Sequence, residues 1–530
     1  MKRMRTWLEE RFAHGTLVAS TPEADDAVAK NGLAVVDLLR PLGHVSRLDA
    51  SIRIGDAVSG RVSRVQDVHL HFYEAHTIYQ AESKAIEEHL RTVLHSASDK
   101  YAQECSRDDL LQMIESGQVL PASMPEDLTP WLVDYRSELQ RATAFGDHEA
   151  IDYPVAALFF TSANCENPVT SLNALQNLLV PPPLMRQEVM YPLKDPDFPR
   201  FYVLLQDMSE PVDNQRVARN LAAARSVFGG ERVALLPINT GNTAVGAVDG
   251  TGAPPGAFKI FMRTPLPGGG AGEMLSRPAP PAQGLAAFLS ADDLSSVAAT
   301  LRAFVLQVLL PGLAARVAKL DANVTATRRG LRNRLTRFWK APVVGSEDVL
   351  NDKPWPWHSI ESQLRQLADL AFLLRAYDYA AATYRLGAQD YQAANNARWY
   401  AGTQEMIALA LIMAPCDDND PLKYFARAIE QYTKLPGARA RLLTSRCTLV
   451  AGMYQQAAGR HMSCSHTFFR AHFGQAAGRH MSCSTPFPRA HFGVKAFKSV
   501  SQHRRAVAAG LHIPCGHVFV WAQFGGEHFE

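Results

Sequence analysis

Several groups of residues have types and spacings that can be tested against known chemistry. His148 and Glu149 open like a zinc-protease helix motif, but Ala150, Ile151 and Asp152 follow and no second histidine completes it. The two therefore read as a surface or capping pair. Gly268 to Gly270 form a glycine run, yet no helix follows to aim backbone N–H groups at a phosphate, and the G-x-x-x-x-G-K-[ST] and G-x-S-x-G patterns are absent. His461, Cys464, His472, His480, Cys483 and His491 supply H-x-x-C spacing suited to a soft metal. No hydrophobic half-core surrounds them for a metal to complete, so the cluster reads as unstructured sequence. No catalytic, cofactor or metal residue is expected.

A positive signal lies between Arg316 and Lys340. Arg316, Lys319, Arg328, Arg329, Arg332, Arg334, Arg337 and Lys340 face a single acid, Asp321. Apolar residues keep helical step through Leu313, Val317, Leu320 and Val324, then Leu331, Leu335, Phe338 and Trp339. The last four fall within an arc of about 100° on a helical wheel, bordered by arginines. Such a face can lie at a lipid headgroup boundary, each basic residue adding about 1 kcal/mol near an anionic surface. It equally suits an acidic partner protein, or a core helix whose basic side is solvated. Gly330, costing about 1 kcal/mol inside a helix, favours a break there. The contact residues are expected to be Arg328, Arg329, Leu331, Arg332, Arg334, Leu335, Arg337, Phe338, Trp339 and Lys340.

The elements that must position these residues follow from length and pattern. A chain of 530 residues allows three or four folded units. A hydrophobic fraction of 47% with 20% charged residues excludes global disorder and rod-like assemblies. The net charge of +2 leaves no overall field to attract nucleic acid, which is not expected as a partner. Seven cysteines without paired spacing, and a start lacking a long apolar run, point to a reducing cytosolic setting. Apolar stretches such as Ala303 to Ala315 fall short of a bilayer span, with Gln307 and Pro311 interrupting that one.

Residues 1–238 alternate short apolar runs (Thr16 to Ser20, Ala156 to Thr161, Phe201 to Gln206, Arg232 to Ile238) with helical stretches (Glu82 to Ala97, Asn214 to Phe228). That pattern predicts an α/β domain with a largely parallel sheet. Residues 239–289 form a Gly/Pro-rich flexible linker or loop, 17 of the first 46 being Gly or Pro, too many for a regular ladder. Residues 290–345 read as a helical segment N-capped by Asp292 or Asp293 and ending in the basic amphipathic stretch. Residues 355–450 read as the start of an all-α solenoid of the tetratricopeptide kind, or as an ordinary helical bundle. A small residue four positions before an aromatic, as in Ala380 with Tyr384 and Ala428 with Tyr432, lets neighbouring helices approach.

Residues 451–530 form a tail carrying a tandem, Gln456 to Gly474 and Gln475 to Gly493, identical at 16 of 19 positions. Folded repeats diverge more than this, and no apolar stripe runs through it. The tail is expected to be disordered or foreign to the domain before it.

Five ordered blocks resemble a known family. LVASTPEADDAVAKNGLAVVDLLRPLG from Leu17, PWLVDYRSEL from Pro130 with DHE at Asp147, FYVLLQD from Phe201, the helix running into RRGLRNRLTRFWK, and RQLADLAFLLRAYDYAAATYRL with WYAGTQEMIALALIMA are similar to the subunit-eight family of the trafficking protein particle complex (TRAPP). The resemblance covers about residues 15 to 450. It implies a non-catalytic scaffold and membrane-recruitment subunit of a TRAPP III-type exchange complex, needing no cofactor. Its implied partners are other TRAPP subunits, a Rab-family GTPase reached through the complex, and an anionic membrane surface. The implied setting is cytoplasmic, peripheral on cis-Golgi, ER-derived and pre-autophagosomal membranes, in vesicle transport and autophagy. Family members continue into further helical repeats and β-sandwich domains, so a truncated or intron-containing gene model is expected after about Arg446. An α/β enzyme fused to a helical-repeat adaptor, or an adaptor for another complex, are the competing readings.

Overall fold

Strands that are mainly apolar on both sides have no polar side to offer water, and three such strands, buried at nearly every residue, form the centre of a six-stranded sheet. The computed structural model describes residues 1–54, 61–74, 148–178, 197–241 except 212, 286–335 except 287, and 355–458 except 415–419, with residues 139, 143 and 146. Its first elements are α1 (Lys2–Arg11), β1 (His14–Ser20), α2 (Pro22–Ala29), α3 (Val35–Leu39), β2 (His44–Val45), β3 (Ala50–Ile54), β4 (Arg61–Val65) and β5 (Val68–Glu74). There follow β6 (Ala156–Ser162), α4 (Pro168–Leu178), β7 (Arg200–Asp207), α5 (Asn214–Phe228) and β8 (Val233–Ile238). The sheet order is β2-β5-β1-β6-β7-β8, parallel except for β2 against β5. β3 and β4 make a separate antiparallel pair.

The largely parallel sheet expected from the sequence is thus present; three of the four strand runs named there lie within β1, β6 and β7, and the fourth forms β8 from Val233 on, Arg232 closing a 3-10 turn. Leu17, Phe159, Tyr202 and Leu204 pack on Leu172 and Leu175 of α4 and on Val217 and Ala224 of α5. α5 covers Asn214 to Phe228 as the spacing predicts, its N-terminus capped by Asp213, whose carboxylate accepts from the Gln215 and Arg216 amides. The helix read over Glu82 to Ala97 and most of the Gly/Pro-rich segment lie outside the described residues.

Beyond the sheet, α6 (Ala291–Phe304) passes through a π turn at Val305–Leu309 into α7 (Leu310–Leu335) without a break. One expectation is corrected here. Ser290 is the N-cap, because its hydroxyl accepts from the Asp293 amide while the Asp293 carboxylate takes the Ser290 amide, a reciprocal capping box. Gln307 and Pro311, which interrupt the apolar run, leave the helix itself continuous. The π turn shifts the local hydrogen bonding, with the Leu310 amide on the Val305 carbonyl, and so accommodates a proline that has no N–H to give.

The stretch Ala291–Arg328 is long and apolar enough to cross a membrane by length and composition alone. Its large apolar side chains are nevertheless engaged on one face: Val297, Leu301, Phe304, Val305, Leu309 and Leu313 are buried, and Phe304 packs on Phe201 of β7 with ring centroids 5.8 Å apart. The exposed side carries Ala298, Ala299, Arg302 and Gln307, with Leu306 the large exception. This is the pattern of a core helix.

The remaining helices are α8 (Ile360–Leu373), α9 (Tyr377–Ala393), α10 (Ala397–Met413), α11 (Pro421–Lys434) and α12 (Ala438–Ala457). From α7 to α11 each packs on the next. The α8–α9 and α9–α10 turns share one geometry: Arg375 and Asn395 adopt positive φ (61° and 52°) and the following amides, Ala376 and Asn396, reach back to the Ala371 and Tyr391 carbonyls. Both turns are therefore Schellman closures, in which left-handed backbone satisfies the last carbonyls. The expected small-to-aromatic step is present, since Ala380, Tyr384, Ala428 and Tyr432 are all buried.

The chain divides into two compact units, residues 1–80 with 144–435 and residues 81–143 with 436–530. In the first, sheet and helices α1 to α11 lie together. Among the described residues the second holds α12, where Arg439 donates to the Thr143 carbonyl at 3.2 Å.

If α6 is a core helix, Phe304→Ala should lower the unfolding free energy by about 3–5 kcal/mol, read as a reduced urea midpoint. Leu306→Ala, on the exposed side, should change it by less than about 1 kcal/mol.

Candidate functional site

The basic stretch expected to make the contact begins on α7. Its first half is committed to the interior: Leu313, Val317 and Val324 are buried and Leu320 half-buried, with Arg316 buried among them. Lys319 pairs with Asp197 at 2.6 Å and Arg328 pairs with Asp390 of α9, so the one member of the contact set whose side chain is described already has an acidic partner. The helix runs through Gly330 to Leu335, which corrects the expected break. Arg329, Leu331, Arg332, Arg334 and Leu335 lie on that helical backbone. Arg337, Phe338, Trp339 and Lys340 lie outside the described residues.

A buried polar joint stands where the sheet-bearing part meets the hairpin helices. Arg365 and Asp369 on α8 are fully buried and pair at 2.9 Å, four residues apart. Asp369 also accepts from the Tyr384 hydroxyl of α9 at 2.5 Å and from the Ala150 amide at 2.7 Å, just before β6. Burial pushes the Asp369 carboxyl up while these donors pull it back. Burial likewise works against the Arg365 charge, but Asp369 and Tyr384 more than offset it and hold the guanidinium above its ordinary range. Arg365 also donates to Thr403 of α10 at 3.4 Å.

His148 and Glu149 belong to the same joint. They are buried, not the surface or capping pair that sequence alone indicates: His148 Nε2 lies 3.2 Å from Glu149 Oε1 and 3.4 Å from the Tyr432 hydroxyl, which donates to Glu405 at 3.2 Å. Gly402 of α10 makes room for the imidazole, since a Cβ there would sit 2.5 Å from His148 Cδ2. These side chains hold one another; none is aimed at open space.

The carboxyl ends of the parallel strands are where a doubly wound sheet would place a ligand. Here Lys30 bridges Asp207 and Glu210, each at 2.6 Å. Burial opposes the Lys30 charge, yet its two carboxylate partners keep its pKa raised, and the same bonds keep Asp207 below the usual carboxylate range. Asn31 and Asn239 pair at 2.7 Å, Asn239 donates to Asp207, and Thr240 donates to Asp293 at 2.7 Å. At the start of α2, Ser20 donates to Asp25 at 2.5 Å, an acid in the first helical turn where a phosphate would otherwise sit. Lys30, Asn31, Asp207, Asn239, Thr240 and Asp293 thus tie the end of α2 and the start of α6 to the sheet.

The reverse end of β5 carries a different cluster. His44 of β2 lies opposite His69 of β5, with imidazoles stacked at 4.3 Å between centroids and 2° between planes. Asp67 contacts His44 Nε2 at 3.8 Å through Oδ2 and Arg375 at 3.1 Å through Oδ1. Beside them a small cleft is lined by Phe12, His14, Asp67, His69, Arg375 and Tyr377, among others. Burial pushes His14 down to about 4, and its Nδ1 donates to the His69 carbonyl at 3.3 Å. Burial and the neighbouring His44 push His69 down to about 4 as well. Sequence reasoning passed over this cluster because its three residues carry no motif spacing; only strand pairing brings His44 to His69.

Comparison with known proteins gives two findings. A family model described as the ER–Golgi trafficking TRAPP I complex 85 kDa subunit (TRAPPC-Trs85) matches residues 8–457. Trafficking protein particle complex subunit 8 of Homo sapiens is 25% identical over 194 residues, which is 35% of this chain and 13% of that protein. The chain therefore matches a small part of that relative's length.

Removing one member of the buried pair should be worse than removing both. Asp369→Leu, which leaves Arg365 buried without its anion, is expected to cost about 3–5 kcal/mol, and adding Arg365→Met should restore part of that loss in denaturant titrations. Gly402→Ala should also destabilise, by about 1–3 kcal/mol, because overlap with His148 outweighs the roughly 1 kcal/mol gain in helix propensity.

Proposed function

We propose, for a chain that belongs to the TRAPPC-Trs85 family of ER–Golgi trafficking TRAPP subunits, a non-catalytic role as scaffold and membrane-recruitment subunit of a TRAPP III-type complex that exchanges nucleotide on a Rab GTPase. The observation that carries this reading is the match over residues 8–457, which includes the whole basic amphipathic stretch from Arg316 to Lys340. The subunit works by shape and attachment. The charged groups at the joint, Arg365 with Asp369 and His148 with Glu149, are paired with one another, which suits presentation of surfaces.

Membrane contact is assigned to the end of α7 and the residues after it. The helix extends past the buried Val324 to Leu335, and the continuing helical register would set Leu331 and Leu335 on one side with Phe338 and Trp339. Arginines on both borders of that face suit anionic headgroups. Other TRAPP subunits are its protein partners, the Rab is reached through them, and the setting is the cytoplasmic face of cis-Golgi, ER-derived and pre-autophagosomal membranes.

Vesicle co-sedimentation of the full chain tests the membrane contact. Replacing Leu335, Phe338 and Trp339 with Asp should reduce binding to vesicles rich in anionic lipid by at least tenfold, and undiminished binding would refute the placement. Pull-down with TRAPP core subunits tests the scaffold role separately: the triple variant should still associate, and failure of the wild-type chain to bind any core subunit would reject that role.

A further inference from the structure

We propose that His44, Asp67 and His69 form a binding site for a divalent transition metal of the zinc class, at the edge of the sheet formed by β2 and β5. One ligand atom from each residue lies within 4.8 Å of the other two. Zinc holds nitrogen and oxygen donors at about 2.0–2.2 Å, which requires ligand atoms to approach one another to about 3.2–3.6 Å. The His44 Nε2 to Asp67 Oδ2 separation of 3.8 Å is already close to that range. The rest of the adjustment is a rotation of the His44 ring, whose side chain is 53% exposed, out of its stack on His69.

The backbone provides the preorganisation. His44 and His69 are direct partners in an antiparallel pair, so their Cβ atoms project to the same side from neighbouring strands. Asp67 stands two residues before His69, at the entry to β5. Its two carboxylate oxygens have separate tasks: Oδ1 takes the Arg375 guanidinium at 3.1 Å, and Oδ2 faces the imidazole. Arg375 itself sits in the closed α8–α9 turn and reaches Glu9 of α1 at 3.5 Å, so the orienting cation is anchored from two elements. A ligating carboxylate held by an outer hydrogen bond in this way is the usual support for a metal ligand.

Two imidazoles and one carboxylate select zinc or a neighbouring transition ion over Mg²⁺ and Ca²⁺, which take mainly oxygen donors. Three protein ligands on an exposed edge leave a fourth position for water or for a donor from a partner. Among the described residues β2 is two residues long and joins the sheet only through β5, so a metal bridging His44 to His69 would clamp the weakest strand of the sheet.

The test is zinc titration of the full chain, stripped with chelator, against a chromophoric competitor, with cobalt substitution to report coordination by visible absorption. Because the tail has its own histidines and cysteines, a control variant carries His461→Gln, Cys464→Ser, His480→Gln and Cys483→Ser. The expected result is one equivalent of zinc retained by this control and weakened tenfold or more by His44→Gln, with His44→Cys, which keeps a ligand, restoring it. His44 is exposed, and an unchanged circular dichroism spectrum will show that the variants fold. Equal zinc affinity in wild type and His44→Gln, loss of the equivalent in the tail control alone, or no zinc bound at micromolar concentration would each overturn the assignment.

Discussion

A buried arginine must keep an anion beside it, and that electrostatic demand organises the region where sheet and helices meet. Arg365 cannot shed its proton, so Asp369 has to stay within reach, and Asp369 in turn takes the amide of Ala150 and the hydroxyl of Tyr384. One carboxylate thereby fixes the approach to β6, the turn of α8 and the face of α9. The His148, Glu149, Tyr432 and Glu405 chain extends the same logic to α10 and α11. Apolar packing would tolerate small slips between these elements; a desolvated ion network does not, because each misplaced group loses its partner at full cost.

Around this joint the apolar contacts are continuous. Phe12 of α1 meets Phe372 of α8 edge-on at 5.1 Å, and Arg5 donates to the Ile412 carbonyl of α10 at 2.9 Å. Ser63 of β4 donates to the Leu374 carbonyl, and Tyr153 joins the cluster of Trp355, Tyr391 and Trp399. The same engagement takes up the apolar first half of α7, where Leu313, Val317 and Val324 are buried.

Sequence and structure agree most closely where local pattern and burial coincide. β1, β6 and β7 were legible because their strands are covered on both faces and read as unbroken apolar runs; α5 was legible from Val217, Leu221, Ala224 and Phe228 at helical step. β2 to β5 were not, since β2 has two residues and β5 alternates histidine with apolar residues in a way that only its partners explain. Asp293 was rightly marked near a helix start, but the choice of Ser290 as cap depends on the reciprocal geometry. His148 and Glu149 carry no sequence signal of burial at all.

The sequence by itself determined the order of elements, the apolar cores of the strands, the stepped small and aromatic residues of the hairpin helices and the basic stretch, because each is a matter of composition within one turn or a few residues. Only the tertiary structure decided which charges are buried, which half of α7 belongs to the core, and that His44, Asp67 and His69 stand together. Those outcomes depend on contacts between residues far apart in the chain, and no local propensity encodes which distant partner will share a desolvated space.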